Sequence, residues 1–102
     1  MTGSSRLDKE KQIMIKRSVV VANDLGLHAR PALLLVRLLK EYPCDIQVYK
    51  NQLLSKKYQP KDILSVMSMD AVKGDVLTFE ADGEKAEEAL LAVEAFLRDN
   101  CV

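Results

Sequence analysis

The sequence is poor in most of the residues that advertise a function. Its 102 residues include no tryptophan, three tyrosines, two phenylalanines, one histidine and two cysteines. So few aromatics leave no stacking platform for unpaired bases. Fifteen Lys plus Arg are balanced by fifteen Asp plus Glu, so formal net charge is zero. That balance excludes nucleic-acid binding driven by bulk positive charge. Cys44 and Cys101 stand far apart, with neither metal-ligand spacing nor the density of a disulfide framework, and read as reduced thiols of a cytosolic protein. The lone histidine has no Cys, second His or suitably spaced carboxylate beside it, so no metal site is expected. The aliphatic run from Ala32 to Val36 stops at Arg37, far short of the ~20 apolar residues of a membrane span. Residues 1–12 lack the apolar stretch of a signal peptide.

What is present is the composition of one globular domain, with 48% hydrophobic residues. Residues 1–12 carry no apolar period and read as a flexible tail; residues 13–102 read as the domain. Charge is divided along the chain. Residues 1–61 hold 12 basic and 5 acidic side chains, and residues 62–102 hold 3 basic and 10 acidic. The basic half suits an acidic protein partner.

Periodicity sets out the elements. Residues 13–21 are rich in β-branched side chains, with Ile15, Val19 and Val21 on one parity, and form a first strand. Residues 29–41 form a helix whose Ala32, Leu35, Val36 and Leu39 follow the spacing of a buried face. Pro31 fits only the first turn, which fixes the helix start close to His28. Residues 45–49 alternate, with Ile46 and Val48 inward, as a second strand. Residues 53–58 are expected as a third strand in a hairpin with the second, although Asn51-Gln52 lacks the glycine of a tight turn. Residues 61–69 form a short helix entered through Pro60. Residues 76–81 form a fourth strand with Leu77 and Phe79 inward. Residues 84–98 form the last helix, with Ala86, Ala89, Leu90, Val93 and Leu97 as its apolar stripe. The order βαββαβα predicts an α+β fold, a four-stranded antiparallel sheet with three helices on one face. Part of that order also describes RNA-recognition modules, but the first strand has no aromatic residue to stack on a base.

His28 stands where a turn meets a helix, followed by Ala29-Arg30-Pro31-Ala32. First-turn N–H groups lack intrahelical partners, and with the helix dipole they favour an anion. Arg30 adds a permanently charged donor fork. A neutral imidazole there is a nucleophile whose phosphorylated product would find donors waiting. Gly26 lets the backbone bend closely just before it.

The segment Gly26-Leu27-His28-Ala29-Arg30-Pro31-Ala32 resembles the phosphorylation-site signature of the HPr family, the histidine-containing phosphocarriers of the phosphoenolpyruvate-dependent phosphotransferase system. Lys61-Asp62-Ile63-Leu64-Ser65-Val66-Met67-Ser68-Met69 resembles the regulatory-site helix of that family, and the likeness extends over roughly residues 14–98. The resemblance implies an HPr-like open-faced sandwich and a chain that is a carrier with a covalent phosphohistidine rather than a stand-alone enzyme. It implies that His28 accepts a phosphoryl group on Nδ1 from phosphorylated enzyme I and passes it to EIIA domains in sugar uptake or its regulation. Arg30 would stabilise the group, with the Ala29 and Arg30 backbone binding the anion. No metal, nucleotide or other cofactor is required. Leu33, Leu34, Arg37 and Lys40 on the first helix, and Lys61, Ile63, Leu64 and Met67 around the second, would form the partner surface. Further partners would be transcriptional or enzyme regulators, with neither nucleic acid nor membrane insertion, and the carrier would be a cytoplasmic monomer. Asp62 stands where many Gram-positive members carry a phosphorylatable serine; it serves as a helix cap and imitates part of a phosphoserine's charge. The stretch between His28 and Asp62 is about three residues longer than the family spacing, which places the added length in the hairpin. The alternative is a signalling protein of the same fold, of the nitrogen-related branch or a non-transferring binder, acting through the same surface.

Overall fold

The computed structural model describes residues 14–100. The expected tail (residues 1–12), Ile13 and Cys101 lie outside them. Among the described residues, three strands and three helices follow one another as β1 (Ile15–Val20), α1 (Ala29–Lys40), β2 (Asp45–Lys50), α2 (Ile63–Met69), β3 (Val76–Asp82) and α3 (Ala86–Asn100). The sheet is antiparallel in the order β1-β3-β2, with Arg17 opposite Phe79 and Val48 opposite Phe79 on the other side. The last strand thus runs up the middle, and its Leu77, Phe79 and Ala81 are all buried.

The alternation of β2 and β3 and the stripes of the helices meet in one core. Leu35, Val36 and Leu39 of α1, Val66 and Met69 of α2, and Ala89, Leu90, Val93 and Leu97 of α3 pack with Ile46, Val48, Leu77 and Phe79. The stripes of α1 and α3 are those that the spacing predicts, and burying each such side chain is worth roughly 1.5–3 kcal/mol for Leu, Val or Phe. On the opposite face of the sheet, Ser18 and Thr78 share a hydroxyl hydrogen bond of 2.8 Å. The buried Glu80 is held there between Lys57 at 3.0 Å and Lys16 at 3.6 Å. Cys44 is buried as a small apolar filler, and burial pushes its thiol pKa up. No described helix is long and apolar enough to cross a membrane.

The third strand is the correction. Residues 53–57 do not run beside β2, and only Tyr58 pairs with it, exchanging two backbone bonds with Val48 at 3.0 and 2.7 Å. Asn51 and Gln52 both take positive φ, 55° and 63°, in a turn closed by Leu53 N–H on the Lys50 carbonyl at 3.1 Å. That is the hand of a tight hairpin turn, and regular pairing from it would put Ser55 opposite Val48. Instead a second turn, Lys56 N–H to the Leu53 carbonyl at 3.3 Å, throws the chain outward. Pairing resumes at Tyr58, three residues farther on. Leu53 and Leu54 are both exposed, so no buried side chain rewards alignment of this stretch with the sheet.

Candidate functional site

His28 is the N-cap of α1, with φ −81° and ψ −177°, and its side chain caps nothing. Its neighbours fix it. Leu27 is buried in the core, its N–H donating to the Ala71 carbonyl at 3.0 Å, and Pro31 and Ala32 are buried on the helix side. The ring is therefore exposed on a rigid base. Gly26 takes φ +66°, and a Cβ there would collide with the Ala71 carbonyl oxygen. Only glycine allows that approach, which docks the 23–28 turn on the segment after α2.

The start of α1 is left unneutralised. The first intrahelical bond runs from Ala32 N–H to the His28 carbonyl at 3.0 Å. Pro31 has no N–H, so Ala29 and Arg30 supply the free backbone donors, and neither has a partner among the described residues. The first turn holds no acidic side chain, whereas the last turn holds Arg37 and Lys40. Two amides, a positive dipole end and the exposed Arg30 thus surround one imidazole.

The ring itself is tethered through Nδ1, which lies 3.2 Å from the Gly26 carbonyl oxygen. A carbonyl oxygen only accepts, so in this arrangement Nδ1 carries the proton and the free lone pair is on Nε2. Attack through Nδ1 requires the ring to give up this bond. The same oxygen also accepts from Asn23 Nδ2 at 3.1 Å.

The expected partner surface divides in two. Leu33 and Leu34 on α1 are 41% and 38% exposed, and Leu64 and Met67 on α2 are 77% and 40% exposed. The two helices pack against each other, and Arg37 and Lys40 are also exposed. Ile63 is half-buried against the core. Lys61 is engaged inward, its Nζ donating to the carbonyls of Tyr42 and Cys44, each at 2.7 Å. Asp62 is the N-cap of α2, Oδ1 accepting from Leu64 N–H at 3.0 Å.

Three features at this end were not among the expected site residues. Asn23 reaches the site oxygen through a turn that composition alone marks only as a turn. Leu25 is 72% exposed beside Gly26, in a cluster of turn residues that gives no apolar period. Asp75 braces the segment on which Leu27 hangs. Its carboxylate accepts from Val72 N–H at 2.9 Å and Asn51 Nδ2 at 3.0 Å, with Lys50 at 3.8 Å. Lys50 Nζ also donates to the Met69 carbonyl at 2.8 Å, closing the end of α2. The Val72 and Asn51 bonds, in that order, hold the Asp75 carboxyl below the usual carboxylate range, and Lys50 adds to them against a desolvation cost.

Comparison with known proteins points to one family. The family model described as PTS HPr component phosphorylation site matches residues 15–99. A phosphocarrier protein HPr of Mycoplasma capricolum is 32% identical over 89 residues, which is 87% of this chain and 97% of that protein. The solved histidine-containing phosphocarrier protein of a mycoplasma superposes with a TM-score of 0.78 at 31% identity, covering 85% of this chain and 96% of that one. The phosphocarrier protein HPr of Bacillus anthracis does so with a TM-score of 0.73 at 35% identity, covering 81% and 95%.

Proposed function

The chain belongs to the HPr family of the phosphotransferase system, and from that premise we propose that it carries a phosphoryl group on His28 Nδ1 between enzyme I and EIIA domains. The observation that supports this reading is the exposed His28 ring at a helix start with two free amides and no first-turn acid. In uptake, the Nδ1 lone pair attacks phosphorus in line as the nitrogen–phosphorus bond of the donor histidine breaks, its electron pair returning to the donor ring. The proton that the Gly26 contact assigns to Nδ1 has first moved through solvent to Nε2. Alignment and fixed charge lower the barrier. Ala29 N–H, Arg30 N–H and the Arg30 guanidinium are the groups that would meet the phosphoryl oxygens. Delivery is the reverse step with a different partner, so both partners use one surface. Leu33, Leu34, Leu64 and Met67 give it an apolar centre, with Arg37 and Lys40 at its basic rim. Asp62 places a permanent negative charge on that rim and restrains uptake from enzyme I.

The test is transfer of labelled phosphate from phosphoenolpyruvate in the presence of enzyme I, then chase with individual EIIA domains. The expected result is acid-labile label on the wild type, none on His28→Ala, and loss of label to at least one EIIA. A wild type that binds enzyme I but takes no label overturns the carrier reading in favour of a non-transferring regulatory protein.

A further inference from the structure

The Gly26 carbonyl oxygen is a point at which two side chains converge. Asn23 Nδ2 donates to it at 3.1 Å, and His28 Nδ1 stands 3.2 Å away. Gly26 N–H in turn donates to the Asn23 carbonyl at 3.2 Å, so the turn is closed by backbone and by side chain together. The orientation of the Asn23 amide has a cost. Its Oδ1 is buried and finds no donor among the described residues. Turning the amide over would set Oδ1 against the Gly26 oxygen, two acceptors face to face. A buried acceptor left unpaired is uncommon in folded proteins and calls for a physical reason.

We propose that Asn23 is a positioning residue for the phosphoryl acceptor: its amide is the standing donor to the Gly26 oxygen, which lets His28 Nδ1 leave that oxygen when the phosphoryl group arrives. The proposal rests on the carrier reading of His28. Gly26 is buried, so a carbonyl that depended on the ring alone would be stranded whenever Nδ1 lost its proton. The ring would then be held as the Nδ1–H tautomer, with no lone pair for attack. With Asn23 in place the oxygen keeps one bond throughout. The Nδ1 proton passes to Nε2 through solvent, the Nδ1–phosphorus bond forms, and the Gly26 carbonyl remains satisfied. The orphaned Oδ1 is the cost of aiming the donor end of the amide at this atom.

The experiment compares wild type with Asn23→Ala and Asn23→Asp in the full chain. The Asp variant keeps size and turn geometry but presents no donor at neutral pH. Ring nitrogen chemical shifts of His28 in the free protein read the tautomer ratio without any partner. Both variants are expected to shift toward Nδ1–H. The kcat of uptake from phosphorylated enzyme I is expected to fall about two- to twelvefold, the value of one net hydrogen bond, with KM for the carrier unchanged because the helical docking face is untouched. Wild-type tautomer ratios in both variants overturn the proposal. So does a raised KM at constant kcat, which would make Asn23 a docking residue. If Asn23→Ala fails to fold, Asn23→Asp decides. A wild type that takes no label at His28 sinks the carrier reading instead, a result told apart because the shifts are measured on the protein alone.

Discussion

Lys61→Met will cost the protein stability and leave docking intact. The Lys61 side chain is half-buried, and its ammonium donates to two backbone carbonyls, Tyr42 just after α1 and Cys44 just before β2. Methionine keeps the stem and its packing but removes both bonds. Hydrogen bonds to a charged group are worth more than neutral ones, yet water reaches part of this site, so the pair is worth about 2–3 kcal/mol rather than the full sum. For a domain of this size that lowers the melting temperature by roughly 10–20 °C. The assay is thermal unfolding by circular dichroism, with Lys40→Met as the control. Lys40 is exposed, and its loss should change stability by no more than ~0.5 kcal/mol. Enzyme I titration well below the melting temperature should then give the same affinity for Lys61→Met as for wild type. A variant that melts with wild type but binds enzyme I more weakly would refute the reasoning and place Lys61 on the partner surface.

Leu64→Asp should weaken binding to enzyme I by about tenfold, as expected for loss of a central apolar anchor, without lowering the melting temperature; unchanged affinity in a calorimetric titration would remove α2 from the docking surface. Asp62→Ser keeps an N-cap of similar strength while deleting the charge, so uptake from enzyme I should rise with stability nearly constant; an unchanged uptake rate means that the Asp62 charge does not restrain transfer. Asp75→Asn is a test of pH dependence. Because the folded carboxyl is held below its ordinary value, its contribution is fully present above the unfolded pKa of about 3.9 and is lost as pH falls through the lower folded value. Urea unfolding should therefore show wild type more stable than the variant at pH 7 and the gap closing below about pH 4; a gap that stays constant down to acid pH would rule out the carboxylate as its source.

Which parts of the molecule could be read in advance follows from how local their causes are. The stripe Ala86, Ala89, Leu90, Val93 and Leu97 is a repeat along one helix, and all five residues are buried. Pro31 confined the start of α1 to the neighbourhood of His28, where the cap is found. Within the hairpin, pairing resumes at Tyr58, three residues beyond the register that the Asn51-Gln52 turn would set. The strand expected at residues 53–58 misled because Leu53 and Leu54 look like strand residues but have no core to enter. For Lys61, which the resemblance assigns to the partner surface, nothing in the neighbouring sequence shows the carbonyls of Tyr42 and Cys44 turning toward it. The brace of Asn51, Val72 and Asp75 under the His28 turn joins three separate segments, and no periodicity encodes it.

The outward lobe between β2 and Tyr58 has a practical corollary. Its base is pinned by the Val48–Tyr58 bridge and by Lys57 on Glu80, and Asn51 at its start is held by Asp75, which leaves Leu53 to Lys56 as the exposed tip. Loop closure grows costlier only with the logarithm of length. An exposed turn such as Leu53 to Lys56 should tolerate a grafted epitope or a fluorophore, giving a handle by which the carrier can be tethered or watched while it works.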